Sequence, residues 1–209
     1  MNTENITVNA QSSIRIAGSK TVYFDPFRIE EARHDADLIF ITHAHYDHLD
    51  PGSIANIAGD GTIFVAPASM EKEMRGAIGK AKLYTVTPGE SLEIDGIAVE
   101  AVPAYNRLKP FHPRRNQWTG YIVTMDGVRY YAAGDTDAVA ELKEISCDVA
   151  LVPIGGTYTM TAKEAAKLVN EISPQVAIPT HYGSIVGKMQ DAEIFRKMTD
   201  ADIAVETRL

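Results

Sequence analysis

The sequence predicts an α/β protein with antiparallel content. Short apolar runs alternate with amphipathic helical segments, Gly, Pro or Asp flanks most of the runs, and Asp126-Gly127 lies between two of them as a tight hairpin turn. In chain order the expected strands begin with Ser13–Ala17, Thr21–Phe24 and Leu38–Thr42. A helix follows, with Asp50 as N-cap, Pro51 at its first position and Gly59 as its stop. After the strand Thr62–Ala66, Ser69 opens a second helix, with Met70, Met74, Ala77 and Ile78 on one face and Gly79 ending it. Lys82–Thr85, Leu92–Ile94, Ile97–Val102, Gly120–Met125 and Val128–Ala132 form a run of strands that includes the hairpin. Val149–Ile154 leads to a third helix. There Thr161-Ala162-Lys163-Glu164 is a capping box, and Ala165, Leu168, Val169 and Ile172 repeat at helical spacing before Pro174. The strand Val176–Pro179, a helix over about Asp191–Met198 and the strand Ile203–Glu206 complete the set.

With 209 residues, 45% of them apolar, and no repeat or low-complexity linker, the chain is expected to form a single domain over residues 1–209. A net charge of −8 makes nucleic acid or an anionic membrane a poor partner. The single cysteine, Cys147, precedes an apolar strand and reads as a buried thiol, so any metal site must rest on His and carboxylates. The longest apolar run, Val149–Ile154, is too short to span a bilayer, and the polar start of the chain does not read as a signal peptide. The expected location is the cytoplasm, with homo-oligomerisation left open.

Three of the six histidines fall within Thr42-His43-Ala44-His45-Tyr46-Asp47-His48-Leu49-Asp50. The cluster begins where an apolar strand stops and ends just before a helix. If the chain stays extended past Thr42, His43 and His45 project to the same side, while Asp47 and His48 at the turn can face a neighbouring position. Imidazoles and a carboxylate suit divalent zinc, iron or manganese, and four such groups on one loop could serve two nearby ions.

This H-x-H-x-D-H motif resembles that of the metallo-β-lactamase superfamily, and two further strings fit the same pattern. Gly134-Asp135-Thr136 follows a strand, as does Thr180-His181-Tyr182-Gly183. Gly155-Gly156-Thr157-Tyr158-Thr159-Met160 and Val102-Pro103-Ala104-Tyr105-Asn106 look more narrowly like the branch that includes ascorbate-6-phosphate lactonase-like proteins. The resemblance implies a four-layer αββα sandwich and metal ligands His43, His45, Asp47, His48, Asp135 and His181. It also implies one or two divalent ions, zinc first, with manganese, iron or nickel as alternatives. Asp47 and Asp135 would be the catalytic carboxylates, mainly as ligands, with Asp47 also able to take up a proton. Expected is a hydrolase in which a cation with an open coordination position lowers the pKa of bound water toward about 7 to give hydroxide. Its substrate would be a small anionic ester, lactone or phosphodiester; a nuclease of the same fold or a non-catalytic metal-binding protein is the alternative. An oxygen-reducing di-iron role fits poorly, because that branch resembles H-x-E-x-D and His45 stands at the Glu position.

One departure from the family pattern stands out. A further histidine usually ends a strand between the cluster and the bridging aspartate. Here Tyr105 or Asn106 holds that place, and His112, bracketed by Pro110 and Pro113, is not expected to replace it. The two positions should therefore bind ions unequally. Arg107 to Arg115 carries four fixed positive charges, and Arg114 and Arg115 could clamp an anionic substrate. Tyr158 is a candidate donor to a developing oxyanion.

Overall fold

Alternating apolar residues in the first part of the chain build one face of a sheet. Ile6 and Val8 on β1 (Ile6–Val8), Ile14 and Ile16 on β2 (Ile14–Ala17), and Val22 and Phe24 on β3 (Thr21–Phe24) all enter one core. The computed structural model describes residues 3–209. The three strands are antiparallel, and β3 then pairs in parallel with β4 (Ala36–Phe40). After helix α1 (Pro51–Ile57), β5 (Ala58–Pro67) pairs in parallel with β4. Helix α2 (Glu71–Ile78) leads to β6 (Lys82–Val86), which closes a sheet of order β1-β2-β3-β4-β5-β6.

The second sheet opens as a meander of β7 (Ser91–Ile94), β8 (Ile97–Pro103), β9 (Thr119–Met125) and β10 (Val128–Ala132). Asp126 and Gly127 both have positive φ at the β9–β10 turn, as a type I′ hairpin requires. Parallel pairing then adds β11 (Val149–Pro153), β12 (Val176–Thr180) and β13 (Ala204–Val205). Helix α3 (Ala162–Ile172) separates β11 from β12, and α4 (Gln190–Met198) separates β12 from β13.

The sheets face each other across one apolar layer, in which Phe40 and Tyr121 meet at 5.1 Å between ring centres. Helices α1 and α2 cover the outside of the first sheet through Ile54, Ile57 and Met74, and α3 and α4 cover the second through Leu168, Val169 and Phe195. Four layers result, αββα, matching the expected class.

Local differences have local causes. Strand β1 was not expected because three residues are too few to show a period. Gly59 does not stop α1: Ala58 is already extended, and Gly59 lies inside β5. Ser69 lies in a 3₁₀ turn, so α2 starts two residues later, and Gly79 ends it at φ +60°. Asp50 caps α1, and Thr161 with Glu164 forms the expected capping box.

The C-terminal ends of β4, β10 and β12 converge on one edge of the sandwich, where open α/β sheets place their ligands. There the two sheets are tied directly. The Tyr121 hydroxyl donates to Ile41 O at 2.8 Å, and Thr119 N donates to Thr42 O at 3.3 Å.

Candidate metal centre

Just past β4 the backbone is held by Asp25, which follows β3 and is buried. Its Oδ1 accepts from Thr42 N at 2.8 Å; its Oδ2 accepts from Thr42 Oγ1 at 2.6 Å and from His48 Nδ1 at 2.7 Å. Because the Thr42 hydroxyl proton goes to Asp25, Thr42 Oγ1 is left to accept from His43 Nδ1, 3.0 Å away. One carboxylate thus orients two imidazoles, each through its Nδ1, and leaves both Nε2 atoms facing inward. No motif marks Asp25 in the sequence; its position at the end of an apolar strand, before Pro26, is the local signal it offers.

His43, His45 and His112 each bring a ring nitrogen within 4.8 Å of the others, and so do the donor atoms of Asp47, His48 and His181. Asp135 stands between the two groups. Its Oδ1 is 3.4 Å from His48 Nε2, and its Oδ2 lies 3.4 Å from His112 Nε2 and 3.3 Å from His181 Nε2. Asp47 Oδ2 is 3.3 Å from His181 Nε2. Five of the six histidines meet here; His34 is exposed elsewhere.

His112 corrects the sequence reading. The loop closes on itself: Asn106 N donates to His112 O at 2.7 Å and His112 N to Asn106 Oδ1 at 3.2 Å. This brings His112 back to the end of β8, where its Nε2 lies 3.3 Å from His43 Nε2. Asn106 supports it, because Oδ1 also accepts from His112 Nδ1 at 3.0 Å, while Nδ2 donates to Tyr158 O at 2.8 Å and Asp137 Oδ1 at 3.2 Å. Tyr105 points away, with its hydroxyl on Glu141. The basis for expecting unequal ion sites therefore falls: each group has three donors of its own. Trp118, likewise unmarked by any motif, flanks the imidazole trio, with ring centres 5.0 Å from His43 and 5.2 Å from His45.

Glycines let the supports approach. Gly134 has φ +63°, and a Cβ there would sit 2.9 Å from Thr42 Cβ; a Cβ on Gly155 would meet His181 O at 2.4 Å. His181 itself takes a left-handed φ of +55°, with its N–H donating to Gln11 O.

Electrostatics suits a cation. Burial, with the neighbouring imidazoles, pushes His43 well below the usual histidine value; His112 drops to about 4 for the same two reasons, against the pull of Asp135. Both are neutral, ligand-ready imidazoles. Burial also opposes charge on His48, but Asp135 and Asp25 outweigh it and raise its pKa to about 9. Burial alone would raise Asp47, yet the His181 imidazole beside it and the charge of His48 bring it to about 2. His48 Nε2, His181 Nε2 and Asp135 Oδ1 are buried without any hydrogen-bond partner, although they face one another. Separations of 3.3–3.4 Å are too long for good hydrogen bonds, and such orphans are costly unless something sits among them. The cluster is able to hold divalent ions.

The expected anion clamp is not at this site. Arg114 is 73% exposed and pairs with Glu141 at 2.8 Å, stacking over Tyr105. Arg115 is exposed, and neither arginine lines the 260 Å³ cavity that opens onto His45, Asp47 and Asp135. Tyr158 does line it. Cys147 is buried against the apolar core outside β11, and burial pushes its thiol up to about 12.

Residues 5–181 match the family described as beta-lactamase superfamily domain. A UPF0173 metal-dependent hydrolase of Pyrococcus abyssi is 34% identical over 199 residues, covering 88% of this chain and 86% of that protein. Another from Archaeoglobus fulgidus is 33% identical over 216 residues, covering 94% and 90%. Among solved structures, a protein of Parabacteroides distasonis described as a metal-dependent hydrolase superposes with a TM-score of 0.81 at 32% identity, covering 97% of this chain and 91% of that one. Igni18, described as a metallo hydrolase of Ignicoccus hospitalis, gives a TM-score of 0.79 at 22% identity over 97% and 93%, a likeness of fold alone.

Proposed function

This chain belongs to the beta-lactamase superfamily, among the UPF0173 metal-dependent hydrolases, and we propose that it uses two divalent ions to hydrolyse a small ester or lactone. In this reading His43, His45 and His112 hold one ion, Asp47, His48 and His181 the other, and Asp135 lies between both. The observation that carries it is the pair of three-donor groups facing one buried carboxylate whose Oδ1 has no hydrogen-bond partner. Imidazole and carboxylate donors suit zinc, with manganese, iron or nickel as alternatives. A bound divalent ion supplies Lewis acidity toward a carbonyl oxygen and lowers the pKa of coordinated water.

The chain's own residues do the rest. Asp25 and Asn106 hold the imidazoles in place, and Trp118 shields the trio from solvent on one side. Asp47, at a pKa of about 2, is a weak base near neutral pH, which favours a ligand role over the proton uptake first expected of it. Tyr158 meets the substrate on the cavity wall. A 260 Å³ cavity without a fixed cation on its wall favours a small ester or lactone over a phosphodiester or a nucleic-acid strand.

The test is reconstitution. Metal-stripped protein should hydrolyse aryl acetates and lactones only after zinc or manganese is restored, with Trp118, the chain's one tryptophan, reporting ion binding by fluorescence. Equal turnover by verified metal-free protein would overturn the reading.

A further inference from the structure

We propose that the substrate carries an uncharged aryl group, held on an aromatic wall made by Phe111 and Tyr158. This rests on the hydrolase reading for the reaction, but not for the subsite itself. Beyond the donors His45, Asp47 and Asp135, the cavity is lined by Tyr46, Phe111, Tyr158 and Ile185, none of which bears a fixed charge. Tyr46 is 66% exposed and Phe111 41% exposed. Large exposed aromatics gathered around a concavity mark a binding surface.

The wall is built in advance. Phe111 and Tyr158 stand edge to face, 4.6 Å apart at 88°, and Tyr46 sets its ring against Phe27 at 6.0 Å and 76°. Two bonds staple the loop carrying Phe111 to the segment carrying Tyr158. Asn106 Nδ2 donates to Tyr158 O at 2.8 Å, and Lys109 Nζ donates to Thr159 O at 2.5 Å. A third ring meeting this pair adds an aromatic contact with little left to order.

Three cations of the adjoining segments are engaged elsewhere. Lys109 pairs with Asp137 at 2.6 Å and Arg114 with Glu141. Arg28 lies over the Phe27 ring and donates to Ser184 Oγ, off the cavity wall. An anionic substituent on the wall would lose water to aromatic carbon, and none of the residues lining the cavity is a Lys or Arg that could receive it. At 260 Å³, about nine water volumes, the space fits one ring and the scissile group.

The experiment compares ethyl phenylacetate with monoethyl malonate on zinc-loaded enzyme, with ethyl acetate as the common reference. The phenyl ester should lead in kcat/KM by roughly tenfold or more, and Phe111→Ala should cut the phenyl-to-acetate ratio about tenfold. Phe111→Tyr should restore that ratio, and Tyr158→Phe should keep it, because the ring and not the hydroxyl makes the wall. Saturation-transfer NMR with phenylacetamide and malonamate reads the subsite without turnover. Phenylacetamide binding that Phe111→Ala abolishes supports the wall even if no ester is cleaved, in which case the hydrolase reading fails alone. Equal or better binding or turnover of the malonyl compounds, or a ratio that Phe111→Ala leaves unchanged, overturns the proposal.

Discussion

The turn His43–His48 and the loop Asn106–His112 both deliver imidazoles to one centre, by opposite means. The turn presses its donors against backbone that both sheets hold: Asp25 grips Thr42 and His48 beneath it, and Tyr121 grips Ile41. The loop brings a lone histidine from a Pro-bracketed excursion and fixes it by side chains, Asn106 on His112 and Lys109 on Asp137. Donors at a strand end are placed by the sheet; a donor carried on a loop needs a latch of its own. The latch also places Phe111, so the side chains that hold His112 hold the aromatic wall as well.

Asp135 serves both regions, so Asp135→Ala should erase the difference between them. Both ions should be lost and activity should fall to background while the far-UV spectrum is kept; metal content and turnover measured together check this. Next in size is Asp25→Ala beneath the turn. It leaves buried His48 and Thr42 without their acceptor and should cost about 3–5 kcal/mol in urea unfolding of the metal-free protein. A loss below about 1 kcal/mol would mean the turn is not anchored as argued. On the loop side, Asn106→Ala should weaken only the ion held by the imidazole trio, by about 10–100-fold in a Trp118 fluorescence titration, with the other ion unchanged. Smallest is Arg114→Ala. Its exposed pair with Glu141 should be worth less than about 1 kcal/mol, and kcat/KM should stay within about twofold. A large loss there would return the loop to the role of anion clamp.

The same contrast explains what could be read from the sequence. His43, His45, Asp47 and His48 were legible because their spacing alone sets their directions, and Asp135 and His181 because each follows an apolar strand in a familiar string. The Thr161 capping box and the Asp126-Gly127 turn act within four residues and were read correctly. His112 was misread because its place depends on a seven-residue loop folding back onto Asn106, a closure that no local periodicity encodes. Asp25 escaped notice because it acts 17 and 23 residues away in sequence, across neighbouring parallel strands. The four cations of Arg107 to Arg115 suggested a clamp only because composition cannot show that Asp137 and Glu141 lie within reach of Lys109 and Arg114.

If His112 completes a second three-donor group, the centre should hold two ions. Calorimetric titration of metal-stripped protein with zinc, for the native chain and for His112→Ala, tests it most directly. Two ions should bind per native chain, and in the variant one should be retained at its native affinity with the other lost or greatly weakened. Two ions bound with unchanged affinities after His112→Ala would contradict it.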